Sequence, residues 1–589
     1  MKRLFLVLLA SLVCGLAAAA AIGEVLPAYQ SAFQIGSRSV NSMDISFTLP
    51  EFEVRQETAG GQIYHRISLS EAASLMQSGM PELPTISTTI AIPHQGGVSV
   101  EVLSAQHSIL PQYNAYPLQQ GNELESPKAF IKNQDYYCSG GSYPAQQIEY
   151  SDPMIMRDFR IVQIQINPFS YNASTHELTA YTNIQLRLNY TSEPGINELP
   201  APVQQVSASF DKIYSSLILN YGDYRSLVLE NTPPRYLIIH GNSTDANFLA
   251  ALDNYVLWKR QKGADVDVAN TTTAQAGSST SSIQTYIRNR YNNPATRPDH
   301  IILIGDTTGS YTVPAFINNS GGTDYPYTHM NTGDTLGDIF VGRISAENLS
   351  QLLVLFNKIY TYERDINANT AWLDRMLLVG DWDPSGISCM YINKYIKEIS
   401  HEVHPEYTYT EIYGAAPAPS AMNTAINQGV GIFSYRGYIG MSGWAPPTES
   451  SFYNGSMLPH AVIITCATNN YWNGTGHAEL FTRFGSTASP KGVITAIGMS
   501  TSSTHTTFNN VIHGAIFDGI FTYGMRTMGE ALLHGKLYMN SVFGVSSPTN
   551  VVKFTHWANL MGDPTLEVFI GQPGAFTLTA PSAIYPGQK

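Results

Sequence analysis

The 589-residue chain is 43% hydrophobic but only 13% charged, holds 35 tyrosines and 47 glycines, and carries a formal net charge of −13. Such a chain is globular and too long for one ordinary domain. It offers no basic surface to neutralise phosphates, which excludes nucleic acid as a partner. At its start, MKRLFLVLLASLVCGLAAAAAIG joins a Lys-Arg pair, an apolar stretch and an alanine-rich end, the pattern of a secretory signal peptide over residues 1–21. The apolar run barely reaches the roughly eighteen residues a membrane anchor needs, and no stop-transfer charges follow. No later segment is apolar enough to span a bilayer. The expectation is export, as a secreted or cell-surface protein with no membrane span once the signal is removed.

Residues 25–205 read as an all-β domain. HRISLS, STTIAIP, VSVEVLS and HELTAYTNIQLRLNYTS alternate apolar and polar residues between Gly, Pro and Asn turns. After the connector EPGINELPAPVQQVS the pattern changes. RYLIIHG, HIILIGD, DIFVGRIS, RMLLVGDWD, GIFSYRG, AVIITCA and GVITAIG are apolar strands, interleaved with helical patterns such as 347–363, 388–403 and 419–428. The alternation predicts an α/β domain over 233–570 with a mostly parallel sheet covered by helices. Sites in such sheets lie at the carboxyl ends of strands, where Asp306, Asp383, Arg436 to Tyr438 and Cys466 all fall. The last residues, 573–589, read as the first strand of a further β domain.

Without the signal peptide, Cys138, Cys389 and Cys466 remain. An odd count leaves at least one thiol outside any disulfide. Cys389 suits a buried, inert role. Cys466 stands at a strand end, where a nucleophile belongs.

The framework resembles the gingipain-type cysteine peptidases of family C25. The likeness is carried by YVLWKRQKGADVDV, by HIILIGD, by TDYPYTHMNTGDTLGDIFVGRISAENLSQLLVLFNKIYTYERD, by the strand into Cys466 and by HWANLMGDPTLEVF. GMPELPTISTTIAIP makes the β domain similar to the family's pro-domain, and the tail looks like the start of its immunoglobulin-like, β-sandwich domain. The resemblance implies a caspase-like fold, protein or peptide substrates, and Cys466 as nucleophile. It also implies Asp383, counted on from Trp372, as the acid that orients a histidine. That histidine belongs to a Tyr-x-Gly-His-Gly turn, but here the turn reads Tyr435-Arg436-Gly437-Tyr438-Ile439-Gly440, with Tyr438 at the histidine's position.

A cysteine peptidase needs a thiolate and a proton donor for the leaving amine, and an imidazole supplies both effects. A phenol, ordinarily titrating near 10, supplies neither well at neutral pH. Three replacements suggest themselves: the charge of Arg436, and the imidazoles of His505 and His477. The expected function is a secreted cysteine endopeptidase impaired by Tyr438, and the alternative is a non-catalytic binding or surface-structural relative. No cofactor is required. Ca2+ is the one metal left open, because Asp306 and Asp324 lie in oxygen-rich loops, though no recognisable calcium loop is present. The stretch SGISCMYINKY, where a pocket for basic side chains would need its acid, holds no carboxylate. Met441 and Trp444 are expected in the core.

Overall fold

The computed structural model describes residues 31–574, apart from residue 71 and residues 120–128, 225–227, 230–231, 367–368, 384, 442–443 and 445–446. The expected signal peptide and all but the first two residues of the expected immunoglobulin-like start lie outside the described residues. No helix among those described is long and apolar enough to cross a membrane.

Two antiparallel sheets fill the N-terminal region. The first runs Phe33–Arg38, Ser42–Thr48, Glu177–Tyr190, Phe169–Asn172 and Ser142–Tyr143, with Val98–Leu110 along the other side of Glu177–Tyr190. The second runs Met154–Met156, Phe159–Ile166, Pro84–Ala91 and Ala73–Ser74, with Ile148–Tyr150 beside Phe159–Ile166. Period-two alternation places Ile45, Phe47, Ile86, Ile90, Ile164, Phe169 and Leu186 in one core between them. Although these strands alternate apolar and polar residues, every residue of Pro84–Ala91 and Phe159–Ile166 is buried. Their polar face meets a helix of the second region, where Thr89 Oγ1 bonds Ser541 Oγ at 3.2 Å and Gln163 Nε2 donates to the Asn540 carbonyl at 2.7 Å.

The second region is built on ten strands: Arg235–His240 (β1), Asp265–Asn270 (β2), His300–Ile304 (β3), Phe340–Ile344 (β4), Arg375–Asp381 (β5), Thr408–Gly414 (β6), Ile432–Arg436 (β7), His460–Ile463 (β8), Thr495–Met499 (β9) and Ala558–Met561 (β10). Covering helices include Ala246–Gln261 (α1), Thr280–Tyr291 (α2), Leu349–Glu363 (α3), Ser388–Val403 (α4), Pro419–Asn427 (α5), His477–Arg483 (α6), Thr506–Phe521 (α7), Met528–Phe543 (α8) and Pro548–Trp557 (α9). The inner strands are apolar along their length because helices bury both faces. Ile432, Val462 and Ile497 point to one core, and Phe433, Ala461 and Ala496 to the other.

Strand order is β2-β1-β3-β4-β10-β9-β8-β7-β5-β6. Eight of these nine neighbouring pairs are parallel; the exception is β9 with β10. Because β10 is parallel to β4 but antiparallel to β9, the two halves of the sheet run in opposite directions. Carboxyl ends in one half therefore share an edge with amino ends in the other. Asp306 follows β3 and Cys466 follows β8, so the two lie at opposite edges. All the candidate residues follow carboxyl ends of strands, as expected, but Asp306 is on the far edge, and the Asp381–Asp383, Arg436–Tyr438 and Cys466 ends lie together.

Candidate active site

Cys466 lies three residues beyond β8 and is fully enclosed. The next residue, Ala467, takes a positive φ of 56°, an uncommon conformation for a residue with a side chain. Its N–H donates to the Thr501 carbonyl at 2.7 Å, and the Asn469 N–H donates to Met499 at 2.9 Å. The loop after the thiol is thereby fastened to the end of β9.

Two neighbouring loops converge on the thiol's loop. The Gly437 carbonyl, just past β7, accepts from Thr465 Oγ1 at 2.6 Å and from Ser385 Oγ, on the loop after β5, at 2.8 Å. The Gly440 N–H then donates to the Cys466 carbonyl at 3.1 Å. Gly437 has to be a glycine, since a Cβ there would sit 2.7 Å from both Asp381 Cβ and Tyr435 Oη. Tyr438, half-buried, is carried on this turn between the two fastenings.

Asp383 is exposed, and its backbone N–H donates to Asp381 Oδ1 at 3.1 Å. Asp381, the last residue of β5, is the carboxylate packed against Gly437. It also accepts from the Ala416 N–H at 2.9 Å. Burial raises its pKa above the usual carboxylate range, against the pull of these hydrogen bonds. The sequence count fell on Asp383, whereas Asp381, two residues earlier, is the aspartate against the Gly437 turn.

Arg436 is fully buried, and its guanidinium donates to Asn510 Oδ1 on α7 at 2.8 Å and to the Ile464 carbonyl. Met441 and Trp444 are buried in a core cluster, as expected. Cys389 is enclosed on α4, Cys138 is exposed, and neither forms a disulfide with Cys466.

A side chain bonded to the thiol is Thr504, which no pattern in the sequence singles out. Its Oγ1 lies 2.9 Å from Cys466 Sγ and accepts from Asn509 Nδ2 at 2.7 Å. That arrangement lets the hydroxyl hydrogen point at sulfur. His505 is next in the chain and caps α7, its Nδ1 accepting from the Thr507 N–H at 3.2 Å. His477 opens α6; burial lowers its pKa, and its Nδ1 is buried with no hydrogen-bond partner among the described residues. A further imidazole, His513 on α7, faces the middle of β7 through Ser434 Oγ at 2.8 Å. Burial, with Arg436 adding to it, pushes the His513 pKa well down.

The aspartates considered for calcium are engaged in buried ion pairs. Asp306 meets Arg483 at 3.0 Å, and Asp324 grips Arg343 with both oxygens, at 2.6 and 2.8 Å. Among the described residues no group of three or more His, Cys, Asp or Glu side chains is placed to hold a metal ion.

Residues 229–569 match the model of peptidase family C25, and residues 32–228 match the C25 propeptide model. The chain belongs to peptidase family C25. Its propeptide and peptidase regions are similar to gingipain R2 of Porphyromonas gingivalis, at 23% identity over 550 residues, 88% of this chain and 71% of that protein. Lys-gingipain of the same organism is 24% identical over 601 residues, 94% of this chain and 34% of that protein. Among solved structures, the Arg-specific cysteine proteinase gingipain R superposes with a TM-score of 0.53 at 19% identity, covering 60% of this chain and 82% of that one. The complex of Porphyromonas gingivalis RgpB pro- and mature domains gives 0.52 at 20%, covering 59% and 83%. These likenesses show a shared fold.

Proposed function

We propose that the protein is an exported, gingipain-type cysteine endopeptidase impaired in its hydrolytic step. Cys466 is the nucleophile, Tyr438 stands where the imidazole should be, and polypeptide substrates are bound better than they are cut. The observation that carries this reading is the fastening of the Tyr438 turn to the nucleophile's loop through Gly437 and Gly440. A base on that turn is the one the framework supplies to Cys466, and the chain supplies a tyrosine.

In the reaction, sulfur attacks the scissile carbonyl, the carbon–nitrogen bond breaks, and the departing amine needs a proton. An imidazolium gives that proton, while a neutral phenol offers only a hydrogen bond. Asp381, packed against Gly437, is better placed than the exposed Asp383 to orient an imidazole restored at position 438. The same reading includes a caspase-like α/β peptidase domain at 233–570, a pro-domain at 25–205, removal of residues 1–21 on export, and an immunoglobulin-like domain beginning at 573–589. A base drawn from His505 is the second reading, favoured by its place beside Thr504.

The test uses the purified full chain and a broad peptide library. Tyr438→His should raise cleavage by about 10²- to 10⁴-fold, the range for a positioned acid–base group, while Cys466→Ala in the natural background should change little. Strong turnover by the natural protein that vanishes in Cys466→Ala would refute the impaired reading. An accompanying inflection near pH 6.5 would move the base to His505. No cleavage by Tyr438→His would favour the non-catalytic alternative.

A further inference from the structure

The propeptide region reaches the Cys466 edge of the sheet with a short finger, Met76 to Ser78, and with Leu118 and Gln119. The finger is held by its own domain: the Gly79 N–H donates to Leu118 at 2.8 Å and the Leu118 N–H to Met80 at 2.7 Å. Where it meets the peptidase region the fit is loose. Cavities of about 570 and 410 Å³ lie there, and Met76 and His505 line both. Volumes in this range suit ligand sites.

The larger cavity has an aromatic wall of Phe508, Phe554 and Trp557, with Thr504 beside it. Thr504 is bonded to Cys466 Sγ, so the wall begins one side chain away from the thiol. Met76 packs on the cluster that contains Phe508 and Phe554, so a polypeptide segment with a long apolar side chain is already seated there. Among the described residues, those lining this cavity include Lys553 and His505 but no aspartate or glutamate. An arginine or lysine side chain entering it would lose hydration and meet the like charge of Lys553.

We propose that this wall is a subsite for a large apolar side chain of a bound peptide, and that Met76 occupies it in the full chain. The inference rests on the peptide-binding reading of the Cys466 site and adds the class of residue that site accepts. Its selectivity comes from the aromatic surface and from the charge of Lys553.

The experiment measures binding rather than turnover, so it stands apart from the fate of Tyr438. Fluorescein-labelled heptapeptides, Gly/Ser-rich with Phe, Leu, Met, Arg or Lys at the centre, are titrated by anisotropy into the full chain and its Met76→Ala variant. Protection of Cys466 from iodoacetamide by the same peptides reports where they bind. The variant should bind the Phe and Leu peptides roughly ten- to a hundredfold tighter than the natural chain does, and tighter than the Arg and Lys peptides, the factor expected for burying one such side chain. Lys553→Glu on a partly exposed residue should narrow the gap for Arg and Lys. Equal binding of all peptides, a preference for Arg or Lys, no binding, or binding that leaves Cys466 unprotected would each overturn the proposal. Met76→Gln, nearly the same length, takes the place of the alanine variant if that one does not fold. If Tyr438→His proves inactive while apolar peptides still bind and protect Cys466, the peptidase reading fails and the subsite survives.

Discussion

Replacing Lys358 by methionine should remove a large part of the pH dependence of stability above neutrality. Lys358 sits on α3, fully enclosed, with Nζ 2.6 Å from the Thr482 carbonyl in α6 and 3.4 Å from that of Val493. Burial pushes its pKa down to about 7, against about 10.4 in an unfolded chain. A lowered lysine is neutral in the fold while the unfolded chain still holds the proton, so stability rises with pH between the two values and is lowest below the folded one. At about 1.36 kcal/mol per unit, the span is worth roughly 4–5 kcal/mol, of which about 2–3 falls between pH 7 and 9. Asp338, whose pKa burial raises to about 8, opposes this slope and is common to both proteins. The quantity to read is therefore the difference between natural protein and Lys358→Met in urea unfolding free energy at each pH. The methionine variant should lead near pH 7, with its lead shrinking as pH rises. A difference that stays flat to within about 0.5 kcal/mol, well below the expected 2–3, would refute a neutral buried amine.

Two further outcomes follow from other buried groups. In a Cys138→Ser background, Thr504→Val should slow iodoacetamide alkylation of Cys466 by about three- to tenfold, the worth of one hydrogen bond. Thr504→Ser should keep the natural rate, and an unchanged or faster rate in the valine variant would contradict a hydroxyl that supports the thiolate. Asp324→Ala leaves the Arg343 guanidinium, fully buried in the ion pair, without its carboxylate. It should cost about 3–5 kcal/mol in urea unfolding, and a loss below about 1 would mean that the Gly305 and Val313 carbonyls suffice to hold the cation.

Much of the fold could be read along the chain because it is written in local periodicity. RYLIIHG became β1, HIILIGD supplied β3, and the pattern at 388–403 became α4, Ser388–Val403. What could not be read were relations between distant segments. Nothing in β9 or β10 taken alone says that they pair antiparallel, yet that single pairing sets the two half-sheets head to tail and sends Asp306 to the far edge. The alternation in Pro84–Ala91 signalled two unlike faces but not that the polar one would meet α8. At the site, Cys466 and Tyr438 follow apolar strands and were legible, whereas Thr504 reaches the thiol from 38 residues away. Asp381 and Asp383 were separable only once the backbone turned.

The placement of β10 also bears on how the chain is made. β4 finds its neighbour when Arg343 and Met561 come into register, 218 residues apart. During synthesis, and during any passage across a membrane, β4 and β9 therefore each present an unpaired edge until nearly all of the peptidase region has emerged. Such edges recruit strands from other chains, and closures over this span are slow. The two antiparallel sheets of the propeptide region pair their strands within residues 33–190 and are ready long before the ten-stranded sheet can close. A chain cut short before Ala558 is left with two half-sheets and two open seams. It should aggregate, however sound each half is on its own.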